Sequence, residues 1–390
     1  MADWERTHRY LTFDFNPAKL PASTWLVIGE AVSKCQHLAG VPLKPRAAVD
    51  LAAVYLARGV QATTAIEGNT LSEDEVLNVV RKGTAGLPAS REYLEREVKN
   101  VLGAIREIDD ALAGSVRLPI TVERLCEINL KVLEGLPDEP RVVPGEFRKH
   151  DVVAGNYKAP HWTEVPDLMD RFVKWLDKLR SSATAQSTPA ERFTTALLSA
   201  ILSHLYIAWI HPFGNGNGRA ARLIEVQILS ESGVVPLVAT NLLSDHYNKT
   251  RSAYYLALNA AQRDVRDFVN YALAGFIDEL REQIAVVRRE NLQVHWESYV
   301  YEVFRAAPST EARARQREVA LTLPHDRAVT PEEMVDLTPP LARRYARTGE
   351  RTPARDLNDL VRRGLLERVG KRQYRARREI IEAFIPPVAV

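Results

Sequence analysis

Cysteine is nearly absent: the 390 residues hold two, Cys35 and Cys126. Two thiols build neither a disulfide framework nor, by themselves, a thiolate zinc centre. A reducing, cytoplasmic compartment is the expectation. No run approaches roughly 18 consecutive apolar residues, which argues against a membrane span and for no membrane partner. The polar N-terminus, MADWERTHRY, lacks the apolar stretch of a signal peptide. A charge excess is missing too. The 52 Lys+Arg and 50 Asp+Glu leave +2, too little to imply a polyanion partner for the whole chain. Glycine (19) and proline (22) stand at ordinary levels beside 46% hydrophobic and 26% charged residues, which excludes collagen-like and disordered chains.

The charge that is present is unevenly placed. From residue 301 onward 18 basic residues meet 13 acidic ones, and all but Lys371 of the 18 are arginine. At roughly 100–200 residues per domain, the length allows two to four domains. Helical periodicity covers most of the chain: 26–38, 46–66, 91–113, 121–133, 165–180, 190–210 and 264–290. Ser72 with Glu75 has the spacing of a capping box. The clearest strand signal is a hairpin across 147–160, turning at Ala154-Gly155-Asn156. The fold class read from this pattern is all-α with one hairpin.

A break of mixed proline and charge follows at 307–330. Beyond it, Leu357, Leu360, Val361, Leu365 and Leu366 trace a helix face that stops at Gly364. A basic two-stranded wing then turns at Gly370-Lys371. That order suits a C-terminal winged helix-turn-helix and makes DNA a candidate partner. A small helical packing domain with a solvated arginine face fits the same residues.

One stretch carries chemistry: His211-Pro-Phe213-Gly214-Asn215-Gly216-Asn217-Gly218-Arg219-Ala-Ala-Arg222. Its alternate glycines permit positive φ and close backbone approach to a ligand. The helix that follows aims its free N–H groups and positive dipole end at the same place, which makes an anion site. Arg219 and Arg222, three residues apart on the first turn, can both reach one polyphosphate. His211, just ahead of the loop, is placed to act as a base on a nucleophile near that phosphate. The motif is not a Walker A loop, since no Gly-Lys-Ser/Thr follows. It also joins helix to helix, unlike a dinucleotide fingerprint.

At these residues the sequence resembles the Fic family, whose signature is His-Pro-Phe-x-Asp/Glu-Gly-Asn-Gly-Arg-x-x-Arg. The resemblance implies a Fic-type helical core with a β-hairpin flap, and transfer of AMP from ATP to a Ser, Thr or Tyr hydroxyl of a target protein. It implies His211 as the base. Gly214, Gly216, Asn217, Gly218, Arg219 and Arg222 would hold the phosphates, with Arg222 on the γ-phosphate. Tyr255, Leu258 and Gln262 match the adenine wall, and the hairpin at 150–160 matches the flap that pins the target. Thr63-Thr-Ala-Ile-Glu67-Gly68 resembles the inhibitory helix, which implies autoinhibition in cis by Glu67 against Arg222. Asn215 stands where the family has the carboxylate that ligates Mg²⁺ (or Mn²⁺). An amide oxygen can coordinate such an ion but brings no charge. Removal of AMP, transfer of another nucleotide or phosphate group, and a silent nucleotide-sensing DNA-binding regulator therefore stand as alternatives. The implied organisation is an N-terminal helical domain at 1–90 with its inhibitory helix at 61–68, a catalytic core at 91–290 and the winged-helix-like domain at 291–390. A homodimer stays open, because an isologous patch leaves no mark in one chain.

Overall fold

The structure, a computed structural model, describes residues 3–184, 186–306 and 308–382. The chain divides into two compact units, Met1–Ala285 and Val286–Val390. The first contains α1 (Asp3–Thr7), α2 (Ala22–Gly40), α3 (Pro45–Ile66), α4 (Glu73–Lys82), α5 (Glu92–Ala113) and α6 (Val122–Leu133). The hairpin β1 (Val153–Ala154) and β2 (Tyr157–Lys158) follows, then α7 (Val165–Arg180), α8 (Pro189–Ile210), α9 (Asn217–Glu231), α10 (Leu242–Lys249) and α11 (Arg251–Ala260). The hairpin is antiparallel, pairs Ala154 with Tyr157 and turns at Gly155, whose φ of 61° needs glycine.

Local chemistry sets the helix ends. Ser72 and Glu75 form the expected capping box of α4, and Thr188 and Glu191 form a second at the start of α8. Proline at the first turn of α8 costs nothing, because that N–H has no helical partner. Between Phe193 and Ile210, α8 is buried on nearly every face and forms the centre of the core. It is long and apolar enough to cross a membrane by length and composition, yet 83% of the relevant window lies inside the protein. That burial accounts for its apolar character as the axle of a helical bundle. Residues 1–90 pack into the same core as the segment after them: Ala57, Val60 and Val76 share it with Val98, Leu197 and Ile224.

The helix expected over 264–290 runs further, as α12 (Val265–Phe304). Its last turns bring Trp296, Val300 and Phe304 into the core of the second unit. The break expected at 307–330 holds a helix, α13 (Glu311–Thr322), capped by Thr310. Four charged residues at its exposed and half-buried positions mask the apolar spacing of Val319 and Ala320. After it come α14 (Pro331–Val335), α15 (Pro339–Tyr345), α16 (Thr352–Arg362), β3 (Leu366–Gly370) and β4 (Gln373–Ala376). The two strands pair antiparallel, and Val329 adds a bridge to Tyr374.

Candidate active site

His211 ends α8 in the left-handed region (φ 51°, ψ 58°), which is costly without glycine and turns the chain sharply into the loop. A buried arginine outside the motif holds this turn. Arg148, 2% exposed, donates from Nε to the His211 carbonyl (2.8 Å) and from Nη2 to the Pro160 carbonyl (2.6 Å). Its backbone N–H donates to the Pro212 carbonyl. The side chain thus caps the C-terminus of α8 and staples the hairpin segment to the loop, satisfying carbonyls that the helix leaves unpaired. Phe213 is buried against Phe147.

The loop braces itself. Asn217 Oδ1 accepts the Phe213 N–H and its Nδ2 donates to the Phe213 carbonyl, both at 2.9 Å. The Asn217 side chain is therefore spent on the loop, and its backbone N–H on the first turn of α9 is what faces a ligand. Gly216 caps α9 at φ 78°, close under Asn129, which donates to the Asn215 carbonyl (2.8 Å). A Cβ at Gly218 would fall on Glu67 Oε1 and the Arg222 guanidinium, so this position admits only glycine while Glu67 is in place.

Glu67 caps α3, and Gly68 follows it at φ 103°. Its Oε1 accepts from Arg222 Nη2 at 2.6 Å, and the same Nη2 donates to the Thr63 carbonyl at 2.9 Å. Thr63 thus contributes its backbone. Arg222 is 1% exposed, while the Glu67 side chain is 26% exposed. Burial works to raise the Glu67 carboxyl, but Arg222 and Arg219 outweigh it and hold it below the ordinary value. Burial pushes His211 below its ordinary value, and Arg148 adds to that. The imidazole is neutral near pH 7. Its Nδ1 faces the Ala208 carbonyl at 3.4 Å, which assigns the proton to Nδ1 and leaves Nε2 as the basic nitrogen.

One cavity of about 490 Å³ gathers Glu67, His211, Asn217, Gly218, Arg222, Tyr255, Leu258 and Gln262 with the hairpin residues Ala154 to Tyr157. This volume suits a nucleotide-sized ligand. Gly214, Asn215, Gly216 and Arg219 do not line it. Arg219 donates to Glu97 Oε1 (2.6 Å) and to Asn215 Oδ1 (3.1 Å), so it ties α5 to the loop. Glu97 is held in turn by Asn69 Nδ2 at 2.8 Å. Asn215 Nδ2 donates to Glu139 at 2.5 Å. Arg148, Glu97, Asn129 and Glu139 are functional neighbours that the sequence reading did not find. The side chains of the Arg219–Glu97 pair are 4% and 11% exposed. Glu97→Ala should therefore cost about 3–5 kcal/mol, as expected when one partner of a buried pair is removed. Denaturant unfolding measures it, and a loss below about 1 kcal/mol would mark the pair as solvated.

Residues 119–229 match the Fic/DOC family model. These residues are similar to a Fic domain. The match takes in α6, the hairpin, α8 and the whole His211–Arg222 loop, whereas Glu67 and Tyr255 lie outside it. The chain is 30% identical over 213 residues to protein adenylyltransferase fic-1 of Caenorhabditis elegans, covering 54% of this chain and 38% of that protein. It is 29% identical over 213 residues to protein adenylyltransferase Fic of Drosophila ananassae, with the same coverage. The chain thus spans well under half the length of these relatives. A Fic family protein from Desulfovibrio desulfuricans G20 has a similar fold (TM-score 0.54, 22% identity), covering 93% of this chain and 97% of that one. A Fic domain containing signaling protein from Bacteroides thetaiotaomicron matches at TM-score 0.50 and 25% identity, covering 67% and 98%. The matched segment supplies the loop, and α3 brings Glu67 to it from outside.

Proposed function

We propose that this protein transfers AMP from ATP to a hydroxyl side chain of a target protein, and that Glu67 restrains the reaction. The observation that carries the reading is the convergence of a neutral His211, the first turn of α9 and Arg222 on one cavity walled by Tyr255, Leu258 and Gln262. The names of its relatives, protein adenylyltransferases, support it. In this reading His211 Nε2 takes the hydroxyl proton as the oxygen attacks the α-phosphorus. The bond from that phosphorus to the bridging oxygen breaks and pyrophosphate leaves. The N–H groups of Asn217 and Gly218 and the guanidinium of Arg222 answer the phosphate charge. Among the described residues, neither Val153 nor Ala154 has a backbone partner outside the hairpin, so β1 offers an open edge for the target segment.

Among the described residues no group of three His, Cys, Asp or Glu side chains could hold a metal. Asn215 Oδ1, which accepts from Arg219 Nη2 at 3.1 Å, and the Glu139 carboxylate, which accepts from Asn215, would have to turn from these partners to ligate a divalent ion that takes most of its ligands from phosphate and water. Bound with ATP, Mg²⁺ or Mn²⁺ would draw off phosphate charge there. Asn215→Asp in a Glu67→Gly background should raise the transfer rate and lower the metal midpoint several-fold, read by titrating either ion. An unchanged midpoint together with an unchanged or lower rate would favour removal of AMP or transfer of another group. Incubation of the wild type and Glu67→Gly with labelled ATP tests the reading as a whole. Label retained on protein supports it, and no label in either overturns it.

A further inference from the structure

The second unit has a core of its own, built from Trp296, Val300, Val319, Val329, Leu341, Leu357, Leu360 and Tyr374. What this core fixes most firmly is α16. Asp356, 1% exposed, accepts from Arg315 Nε (2.7 Å), Gln316 Nε2 (2.9 Å) and the Tyr345 hydroxyl (3.1 Å). One buried carboxylate therefore joins α13, α15 and α16, and its charge is met by Arg315. Leu357 and Leu360 pack beside it, so one face of α16 is committed to the interior.

The opposite face is basic. Arg351, Arg355, Asn358 and Arg362 are all exposed and recur at spacings of four, three and four. On a helix turning about 100° per residue they fall within about 60° of one another, facing away from Leu357 and Leu360. Arg351 and Arg355 have no acidic partner among the described residues, and Arg362 only shares Asp359 with Arg313 and Arg363. Asn358 is oriented by the Tyr374 hydroxyl, which donates to its Oδ1 at 3.1 Å and leaves the amide N–H groups outward. Next to this helix, β3 and β4 turn at Lys371 and Arg372, both exposed. The Arg368 guanidinium closes that turn by donating to the carbonyls of Gly370 and Lys371.

We propose that residues 311–382 form a winged helix-turn-helix that binds duplex DNA, with α16 in the major groove and the β3–β4 turn on the adjoining backbone. A helix that is rigid on its inner face and lined with guanidinium groups on its outer face matches a groove about 12 Å wide between two rows of phosphates. Arg351, at the helix start, and Lys371 and Arg372, on the turn, are placed for phosphates, Arg372 by exchanging its exposed surface partner Glu332 for one. Arg355 and Asn358, at the middle of the stripe, are placed for base edges. Arginine is suited to guanine O6 and N7, and an amide to adenine. Of the exposed acids, Glu350 lies before the first turn of α16 and outside the arc, and Glu332 pairs with Arg372 at the β3–β4 turn.

The test uses the full chain and a labelled mixed-sequence duplex, with fluorescence anisotropy read across a salt series. Wild type should bind at low salt, with an affinity that falls about as the third power of salt, as three phosphate contacts require. Arg351→Gln should weaken binding at least threefold and reduce the slope by about one, whereas Arg355→Gln should weaken binding to a selected duplex with little change in slope. Arg266→Gln, on the first unit, should leave both unchanged. Asn358→Ala should keep affinity for mixed sequence while losing preference for whichever duplex is enriched by selection. Circular dichroism checks that each variant is folded. Absence of duplex binding by wild type at low salt overturns the proposal, as does binding by folded Arg351→Gln that equals wild type in affinity and slope. Binding of an acidic protein without duplex binding would also overturn it. Adenylyl transfer is not measured, so the outcome is independent of the reading of the first unit.

Discussion

His211→Ala should lower transfer of AMP by roughly 10²–10⁴-fold, the usual cost of losing a general base. ATP affinity should stay within about twofold, because in the proposed reaction the phosphates meet Arg222 and the first turn of α9 and not the imidazole. The left-handed backbone at 211 adds a structural demand, so the fold of the variant is checked by its unfolding curve. The effect is measured in a Glu67→Gly background, where the rate of the parent is high enough for the loss to be read. The pH profile supplies a second readout. Burial and Arg148 lower the histidine pKa, while the Ala208 carbonyl and Glu67 oppose them. A base works above its pKa, so kcat/KM should rise with pH through a value below 6.5 and then level off. Loss of the Glu67 charge should move that rise to still lower pH, since the carboxylate favours the imidazolium. A variant that keeps more than about a tenth of the parent rate would remove His211 from the role of base.

The loop was legible because its parts are consecutive: glycine, histidine and arginine at fixed spacing within twelve positions report their geometry without knowledge of the fold. Glu67 was legible for a related reason, since a carboxylate just ahead of Gly68 sits at a helix end whatever surrounds it. Arg148, Glu97 and Glu139 were not. Their partners are His211, Arg219 and Asn215, separated in sequence by 63, 122 and 76 positions. No periodicity records such a pairing. Arg219 shows the same limit from the other side. Its spacing from Arg222 allowed both to reach one phosphate, but a buried acid on α5 holds it outside the cavity. Helix ends misled where polar residues interrupt an apolar pattern. In α12 the run Arg288-Arg289-Glu290-Asn291 interrupts the apolar pattern, so the helix reads as finished at 290, fourteen residues before its end at Phe304.

Glu67→Gly should raise transfer of AMP roughly tenfold to a hundredfold at ATP concentrations below saturation. In the proposed reaction a γ-phosphate would compete with Glu67 for the Arg222 guanidinium, whose Nη2 is already divided between the carboxylate and the Thr63 carbonyl. The Glu67 carboxylate also fills the space over Gly218, where the backbone N–H groups of α9 begin. Close charge pairs couple by about 1.5–7 kcal/mol, and exchange of one anion for another recovers part of that. A net preference of about 1.4–2.8 kcal/mol for the closed arrangement gives the stated range. The sign of the stability change is opposite. Arg222 is 1% exposed and would lose its carboxylate, so the variant should unfold more easily than wild type without ATP and regain stability when ATP is added. Arg222→Ala placed on Glu67→Gly should erase the gain, since the freed guanidinium is what the mutation makes available. Rates of transfer and ATP affinities for the three proteins separate these effects. Equal, measurable rates in wild type and Glu67→Gly would show that Glu67 does not gate the site, and tighter ATP binding without faster transfer would confine its role to occupancy.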